Sequence, residues 1–130
     1  MRSENHIKPQ DMKFVPKSWG WELWIVNNEM YCGKILFIKQ GKYCSYHYHE
    51  IKDEVLYIQQ GKINFTYEED GVDFEHGELG VGEAFHVIPG VKHQMEALED
   101  TYIIEFSTQH FDEDSKRVTR DLQVKDKGVF

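Results

Sequence analysis

Apolar and polar residues alternate along most of the chain in short runs, each closed by a turn signal. Residues 63–67 alternate cleanly, and a period of two places every second side chain on one face of a strand. Residues 31–39 are dense in β-branched and aromatic side chains, which favour extended structure. Residues 55–59, 84–88, 93–97 and 101–106 read as further strands, and residues 72–74 begin another. Turns fall at residues 27–29, 40–42, 60–62, 68–71, 89–90 and 98–100, and the glycine-rich segment 76–82 shapes one more. In residues 17–26, Trp19, Trp21 and Leu23 alternate with Gly20, Glu22 and Trp24. The preferred reading is a core or interface strand; the sharper one is that a tryptophan lines a sugar-binding mouth. No long segment carries a helical period. About nine or ten short strands, with turn signals spaced roughly 8–12 residues apart, predict an all-β sandwich or barrel.

The same pattern divides the chain. Residues 1–16 are polar, with Pro9 and Pro16 as breakers, and are expected to form an N-terminal extension with room for one short strand and for dimer contacts. Residues 17–111 hold the strands of the barrel. Residues 112–130 form a charged tail, either one short helix or a segment packed across the barrel.

Size and charge narrow the function. A chain of 130 residues with 40% hydrophobic content builds one domain, burying roughly two thirds of its unfolded surface. The formal net charge of −8 argues against a nucleic-acid partner. It also means that an anionic ligand must be met by local cations. No stretch approaches a membrane span, and the polar start, Met1 to His6, has no apolar segment behind it, so a cytoplasmic location is expected. Cys32 and Cys44 form no C-x-x-C pair and are expected as reduced, half-buried thiols.

Chemistry concentrates between Gly41 and Gly61. His47 and His49 share one face of a strand, and a turn over residues 50–53 returns Glu54 at the start of the next. Two nitrogens and a carboxylate oxygen suit Zn, Mn, Fe, Co or Ni better than Ca or Mg. The bland alternative is three unrelated polar residues on an exposed hairpin. Cys44 is out of phase with both histidines and is not counted as a ligand. A third histidine, His93, follows a short apolar strand and the Pro89–Gly90 turn. Three His and one Glu fill four positions on a metal and leave room for water or substrate, as catalytic sites do.

Other positions carry two readings each. Tyr43 and Ser45 share the inward parity of the histidines and either bind substrate or pack. Lys34 either meets an anionic substrate at the mouth or is solvated. Glu105, between apolar residues in the last strand, is either a buried catalytic base with a raised pKa or an outward strand residue. Leu56 and Ile58 suggest an apolar floor, and Tyr46 and Tyr48 are expected on the opposite face from the histidines. His86 is either a support for the ligands or a surface residue; His6, His76 and His110 are expected to face solvent.

The spacing Gly41-x5-His47-x-His49-x4-Glu54-x6-Gly61 resembles the first cupin motif at every fixed position. Gly82, Gly90 and His93 match the second motif, which departs at Ile88 and Ala97, where Pro and Asn are usual. The resemblance implies a double-stranded β-helix, the cupin jelly-roll barrel, with one divalent transition metal in its mouth held by His47, His49, Glu54 and His93. It also implies a homodimer. Within cupins the chain is similar to the C-terminal domain of type II mannose-6-phosphate isomerases. The likeness rests on Lys17 to Gly20, Ile88 to His93, and the run from Glu105 through Arg117. Many of those domains carry Gln where His47 stands, and their closing aromatic-Gly-Arg segment is missing. This resemblance implies a metal-dependent aldose–ketose isomerase or epimerase acting on a sugar or sugar phosphate, with Glu105 or a released Glu54 as the base. Two other functions compete. A non-haem Fe(II) dioxygenase would use the same donor set and consume oxygen. A non-catalytic sugar or small-ligand binding module, such as a stand-alone partner to a nucleotidyl-transferase domain, would bind without turnover.

Overall fold

The computed structural model describes residues 3–68 and 75–118. Eleven strands are seen: β1 (Lys13–Lys17), β2 (Gly20–Asn27), β3 (Cys32–Ile38), β4 (His47–His49), β5 (Glu54–Gln60), β6 (Lys62–Glu68), β7 (Glu75–Gly80), β8 (Ala84–Val87), β9 (Lys92–Ala97), β10 (Thr101–Ser107) and β11 (Ser115–Arg117). They form two antiparallel sheets, six strands in the order β1-β2-β3-β10-β5-β8 and five in the order β11-β4-β9-β6-β7. The sheets face each other as a jelly-roll sandwich, as the strand count predicts.

Alternation along β3, β5 and β10 sorts their side chains into inner and outer sets. Antiparallel register then sorts the inner set by height. Ile38 pairs with Thr101, Leu36 with Ile103 and Lys34 with Glu105 across β3 and β10. Ile103 pairs with Ile58, and Glu105 with Leu56, across β10 and β5. One end of the sandwich is therefore apolar: Leu36, Ile38, Ile58 and Ile103 meet Ile63, Phe65, Met95 and Ala97 of the opposite sheet. The other end carries the buried polar groups Lys34, Lys52, Glu54, Glu105, His49 and His93. Burying an aliphatic side chain such as Ile103 is worth roughly 1.5–3 kcal/mol. The apolar end supplies the stability that lets the polar end hold charges out of water.

Two glycines are fixed by close backbone approach. Gly61 turns β5 into β6 at φ +95°, and a Cβ there would lie 2.5 Å from the carbonyl oxygen of Asp100. At Gly20 a Cβ would overlap the carbonyl oxygen of Phe37, so only glycine lets β2 lie against β3.

The structure corrects several expectations. The segment read as a turn from His76 to Gly82 is mostly strand β7, paired to β6 from Lys62–Gly80 to Tyr67–Glu75. A Cβ at Gly77 would meet nothing within 4 Å, so an edge position tolerates the glycine that looked like punctuation. Residues 72–74 lie outside the described residues. The His-x-His strand is short, because residues 42–46 make only one isolated bridge, Tyr43 to Glu96. The tail is more than a charged appendage. A 3-10 turn, Asp112–Asp114, leads into β11, which pairs with β4 and sets Ser115 opposite His49 and Arg117 opposite His47. β1 likewise joins the six-stranded sheet beside β2. Cys32 and Cys44 are both free thiols, and both are fully buried. Among the described residues no helix is long and apolar enough to cross a membrane.

Candidate metal centre

β4 and β9 bring the histidines together. His47 and His93 are register partners, and His49 follows two residues along β4 on the same face. One ligand nitrogen from each of the three falls within 4.8 Å of the others. His49 and His93 are buried and His47 is half-buried. Backbone carbonyls orient two of the rings. Nδ1 of His47 lies 2.8 Å from the carbonyl oxygen of Ser45, and Nδ1 of His93 lies 2.9 Å from that of Val91. A carbonyl only accepts, so both Nδ1 atoms carry a proton and both rings turn Nε2 into the site.

Glu54 starts β5 on the facing sheet and is buried. Its Oε2 lies 3.4 Å from Nε2 of His93 and 3.6 Å from Nε2 of His49, yet makes no hydrogen bond among the described residues. Its Oε1 lies 3.4 Å from the ammonium of Lys52. Burial raises the pKa of this carboxyl, but His93, Lys52 and His49 outweigh it, so the group is held below its usual range as a carboxylate. Loss of solvent, then the neighbouring His93 and His49, keep His47 neutral well below the ordinary imidazole value. His49 is pushed down to about 4 by burial and by Lys52. The neutral imidazoles of His47 and His49, with His93 and an anionic carboxylate whose oxygen is unpartnered, fit a divalent transition metal. His47, His49 and His93, with Glu54 alongside, would hold it. Cys44 does not join them: the cluster gathers only the three histidines among the described residues, and the Cys44 thiol lies 3.8 Å from the Met95 carbonyl oxygen.

The site lies in a cavity of about 470 Å³. Lys34, Ser45, Trp19, Trp24, Leu56 and Glu105 are among its walls. Ser45 and Lys34 both line the cavity, and Lys34 is buried beside Glu22, 3.5 Å away, rather than solvated. Tyr43, read from the sequence as facing the same way, is buried away from the cavity, because the irregular backbone at residues 42–46 breaks the parity on which that reading relied. Cys44 lines the cavity for the same reason. The tryptophans divide. Trp19 and Trp24 face the cavity, whereas Trp21 stacks outward on Phe37 at 5.6 Å between ring centroids. Trp24 receives two ammonium groups over its ring, Lys34 at 4.1 Å and Lys13 at 4.5 Å.

Glu105 points inward and is buried, so it is not an outward strand residue. Its Oε2 accepts from Lys52 Nζ and from Ser107 Oγ, each at 2.9 Å. Burial and then the Glu54 charge raise its pKa, against the pull of Lys52. For Lys52, burial is outweighed by Glu105 and Glu54, so its ammonium is held charged above the usual lysine range. His110 was expected in solvent. Its Nδ1 lies 3.2 Å from Lys52 Nζ, its Nε2 lies 3.0 Å from Asp112, and burial with Lys34 and Lys52 pushes it down to about 4. His86 is a surface residue, 2.8 Å from Asp53. His6 is exposed.

Sequence reasoning missed Lys52 and Asp114. Lys52 sits in a turn, where a lysine reads as solvated, yet it is 3% exposed. Asp114 sits in an acidic run, yet its carboxylate accepts three backbone N–H groups of that same turn, from Glu50, Ile51 and Lys52, at 2.9, 3.0 and 3.0 Å.

No protein-family model matches this sequence, and no similar curated protein is found. Solved structures do resemble it. The capsular polysaccharide assembling protein CapF of Staphylococcus aureus aligns with a TM-score of 0.75 at 16% identity, over 84% of this chain and 33% of CapF. Oxalate decarboxylase of Bacillus subtilis aligns with a TM-score of 0.74 at 15% identity, over 94% of this chain and 36% of the enzyme. KdgF of Halomonas sp. aligns with a TM-score of 0.67 at 21% identity, over 86% and 94% of the two chains. The chain thus spans about a third of the first two proteins and nearly all of KdgF. At these identities the likeness shows a fold alone: the chain has a cupin-type jelly-roll fold, and its structure adds a three-histidine cluster suited to a metal.

Proposed function

We propose that this cupin is a metal-dependent isomerase or epimerase of a sugar or sugar phosphate, in the manner of mannose-6-phosphate isomerases. The carrying observation is that one cavity holds both the His47, His49, His93 and Glu54 donors and a separate buried carboxyl, Glu105, with a raised pKa. A bound divalent metal would supply Lewis acidity toward a carbonyl and its neighbouring hydroxyl. Glu105 supplies the base. It removes the proton from the hydroxyl-bearing carbon as the carbonyl oxygen gains one, and returns it to the adjacent carbon as the hydroxyl proton leaves. Lys52 holds the Glu105 carboxylate in one orientation. Lys34, Ser45 and the Trp24 ring form the substrate wall; Lys34 is already paired with Glu22 at 3.5 Å, so the Lys13 ammonium over Trp24 is the cation that would meet an anionic sugar despite the net charge of −8.

The donor set equally suits Fe(II), so one experiment is arranged to separate the readings. Protein reconstituted singly with Mn, Zn, Co or Fe(II) is assayed for aldose–ketose interconversion and for oxygen uptake. Isomerisation without oxygen, lost in Glu105→Gln, is expected. Iron-dependent oxygen consumption would establish the dioxygenase instead, and saturable sugar binding without turnover the binding module.

We also propose that the functional unit is a homodimer joined through the outer face of the six-stranded sheet. Phe14, Trp21, Leu23, Ile35, Phe37, Val55, Tyr57, Tyr102, Ile104 and Phe106 occupy that face in register with no charge among them. Five strands by three rows give a flat footprint of roughly 500 Å² before side-chain relief. That is within reach of the ~800 Å² each partner of a stable dimer buries. A second copy meets no like charge there, whereas the rest of the acidic surface repels it. Sedimentation should show a dimer that Trp21→Glu converts to a folded monomer; a monomeric wild type refutes it.

A further inference from the structure

We propose that the C-terminal segment is a working part of the metal centre, with Asp114 the carboxylate that receives the Nδ1–H of His49 and so positions the third imidazole. The proposal rests on the metal reading of the histidine cluster. Its starting point is an asymmetry. His47 and His93 each spend Nδ1 on the carbonyl two residues before them. Nδ1 of His49 is buried and makes no hydrogen bond among the described residues. Its partner in waiting is Asp114 Oδ2, 3.9 Å away.

Asp114 is built for that role. It is 4% exposed. Its Oδ1 is filled by the N–H groups of Glu50 and Ile51, while among the described residues Oδ2 accepts only the N–H of Lys52. Strand pairing fixes it in place, since the next residue, Ser115, is the register partner of His49. Charged hydrogen bonds of this type close to about 2.7–2.9 Å, so a ring shift of roughly 1 Å completes the bond. A carboxylate behind a ligating imidazole fixes its tautomer and raises its basicity, and losing such a partner typically costs about 10–100-fold in metal affinity.

The same carboxylate sets a second support. The turn it clamps carries Lys52, whose ammonium reaches Glu54 Oε1 at 3.4 Å and Glu105 Oε2 at 2.9 Å. Asp114 thereby touches the donor set from two sides, through the His49 ring and, via Lys52, through the oxygen of Glu54 that faces away from the histidines. Asp114 is a positioning residue; it would contact no substrate.

The test uses the full-length protein loaded with Co(II), whose paramagnetism shifts ligand resonances out of the envelope. The wild type should show three exchangeable, solvent-protected Nδ1–H signals, one for each histidine. Asp114→Asn should keep two and lose or broaden the third, with the Co(II) and Zn(II) dissociation constants raised about 10–100-fold. Asp114→Glu should recover most of both. A merely structural role for Asp114 would lower the melting temperature of metal-free protein but leave the signal count and affinity unchanged, and that result overturns the proposal. So does a wild type with only two protected signals, a measurement that needs no variant to fold. A wild type that takes up no metal overturns the metal reading itself.

Discussion

Lys52 is the cation on which two buried carboxylates depend, and Lys52→Met removes it with little change of volume. The ammonium is 2.9 Å from Glu105, 3.4 Å from Glu54 and 3.2 Å from His110, and all but His110 are about 3% exposed. Removing one member of a buried ion pair costs about 3–5 kcal/mol, because the partner is left charged without water. Here the loss should sit near the lower end, about 3 kcal/mol at pH 8, since Glu105 keeps the Ser107 hydroxyl at 2.9 Å and can take up a proton. The pH dependence follows from the sign. The pKa of Glu105 is already raised by burial and by Glu54, and losing Lys52 raises it further. A folded-state pKa above the unfolded one means that the variant recovers stability at low pH and loses it as pH rises through that value. Urea unfolding of metal-free protein at pH 5.5 and pH 8 should therefore show a larger wild-type advantage at pH 8. At this chain length that advantage corresponds to a melting shift of about 10–15 °C. A deficit below about 1 kcal/mol at pH 8, or one equal at both pH values, refutes the reasoning.

Three further outcomes are expected. His49 and His110 are both pushed down to about 4, chiefly by burial. Metal-free protein should therefore have their contribution in full above the unfolded value near 6.5 and lose it as pH falls toward 4. Melting temperatures from pH 7.5 to 4.5 measure this, and a flat profile contradicts it. Ile103→Ala, at a fully buried position of the apolar end, should cost about 2–5 kcal/mol in urea unfolding yet leave metal affinity within a few-fold. Gly61→Ala should cost at least about 2 kcal/mol, because its Cβ would sit 2.5 Å from both the Asp100 carbonyl and Thr101 Oγ1; a stability equal to wild type would show that the β5–β6 turn relaxes freely.

What the chain announces by itself is what is local. Alternation over four to eight residues marks strands, so most elements were legible within a residue or two. His47 and His49 share a face because the strand period is two, a short turn returns Glu54, and a Pro-Gly turn presents His93. Cluster and fold class could be read without knowing which strands pair. The errors are local too: segment 76–82 lost its strand because an edge position forgives glycine, and Tyr43 was placed in the pocket by extending parity across residues that form no ladder.

The tertiary structure decided what depends on distant partners. Whether Glu105 faces inward is set by the register of β10 between β3 and β5. Lys52 is buried because Glu105, fifty-three residues away, neutralises it, and His110 enters the cavity because its backbone N–H is held by Asn27. Asp114 lies 3.9 Å from His49 because the strand it leads into, β11, pairs with β4. Buried charges are tolerated only when paired, and pairing is a property of the folded chain. The three histidines and Glu54 were therefore visible in the sequence, while the buried charges and the tail strand packed beside them became visible only once the two sheets closed.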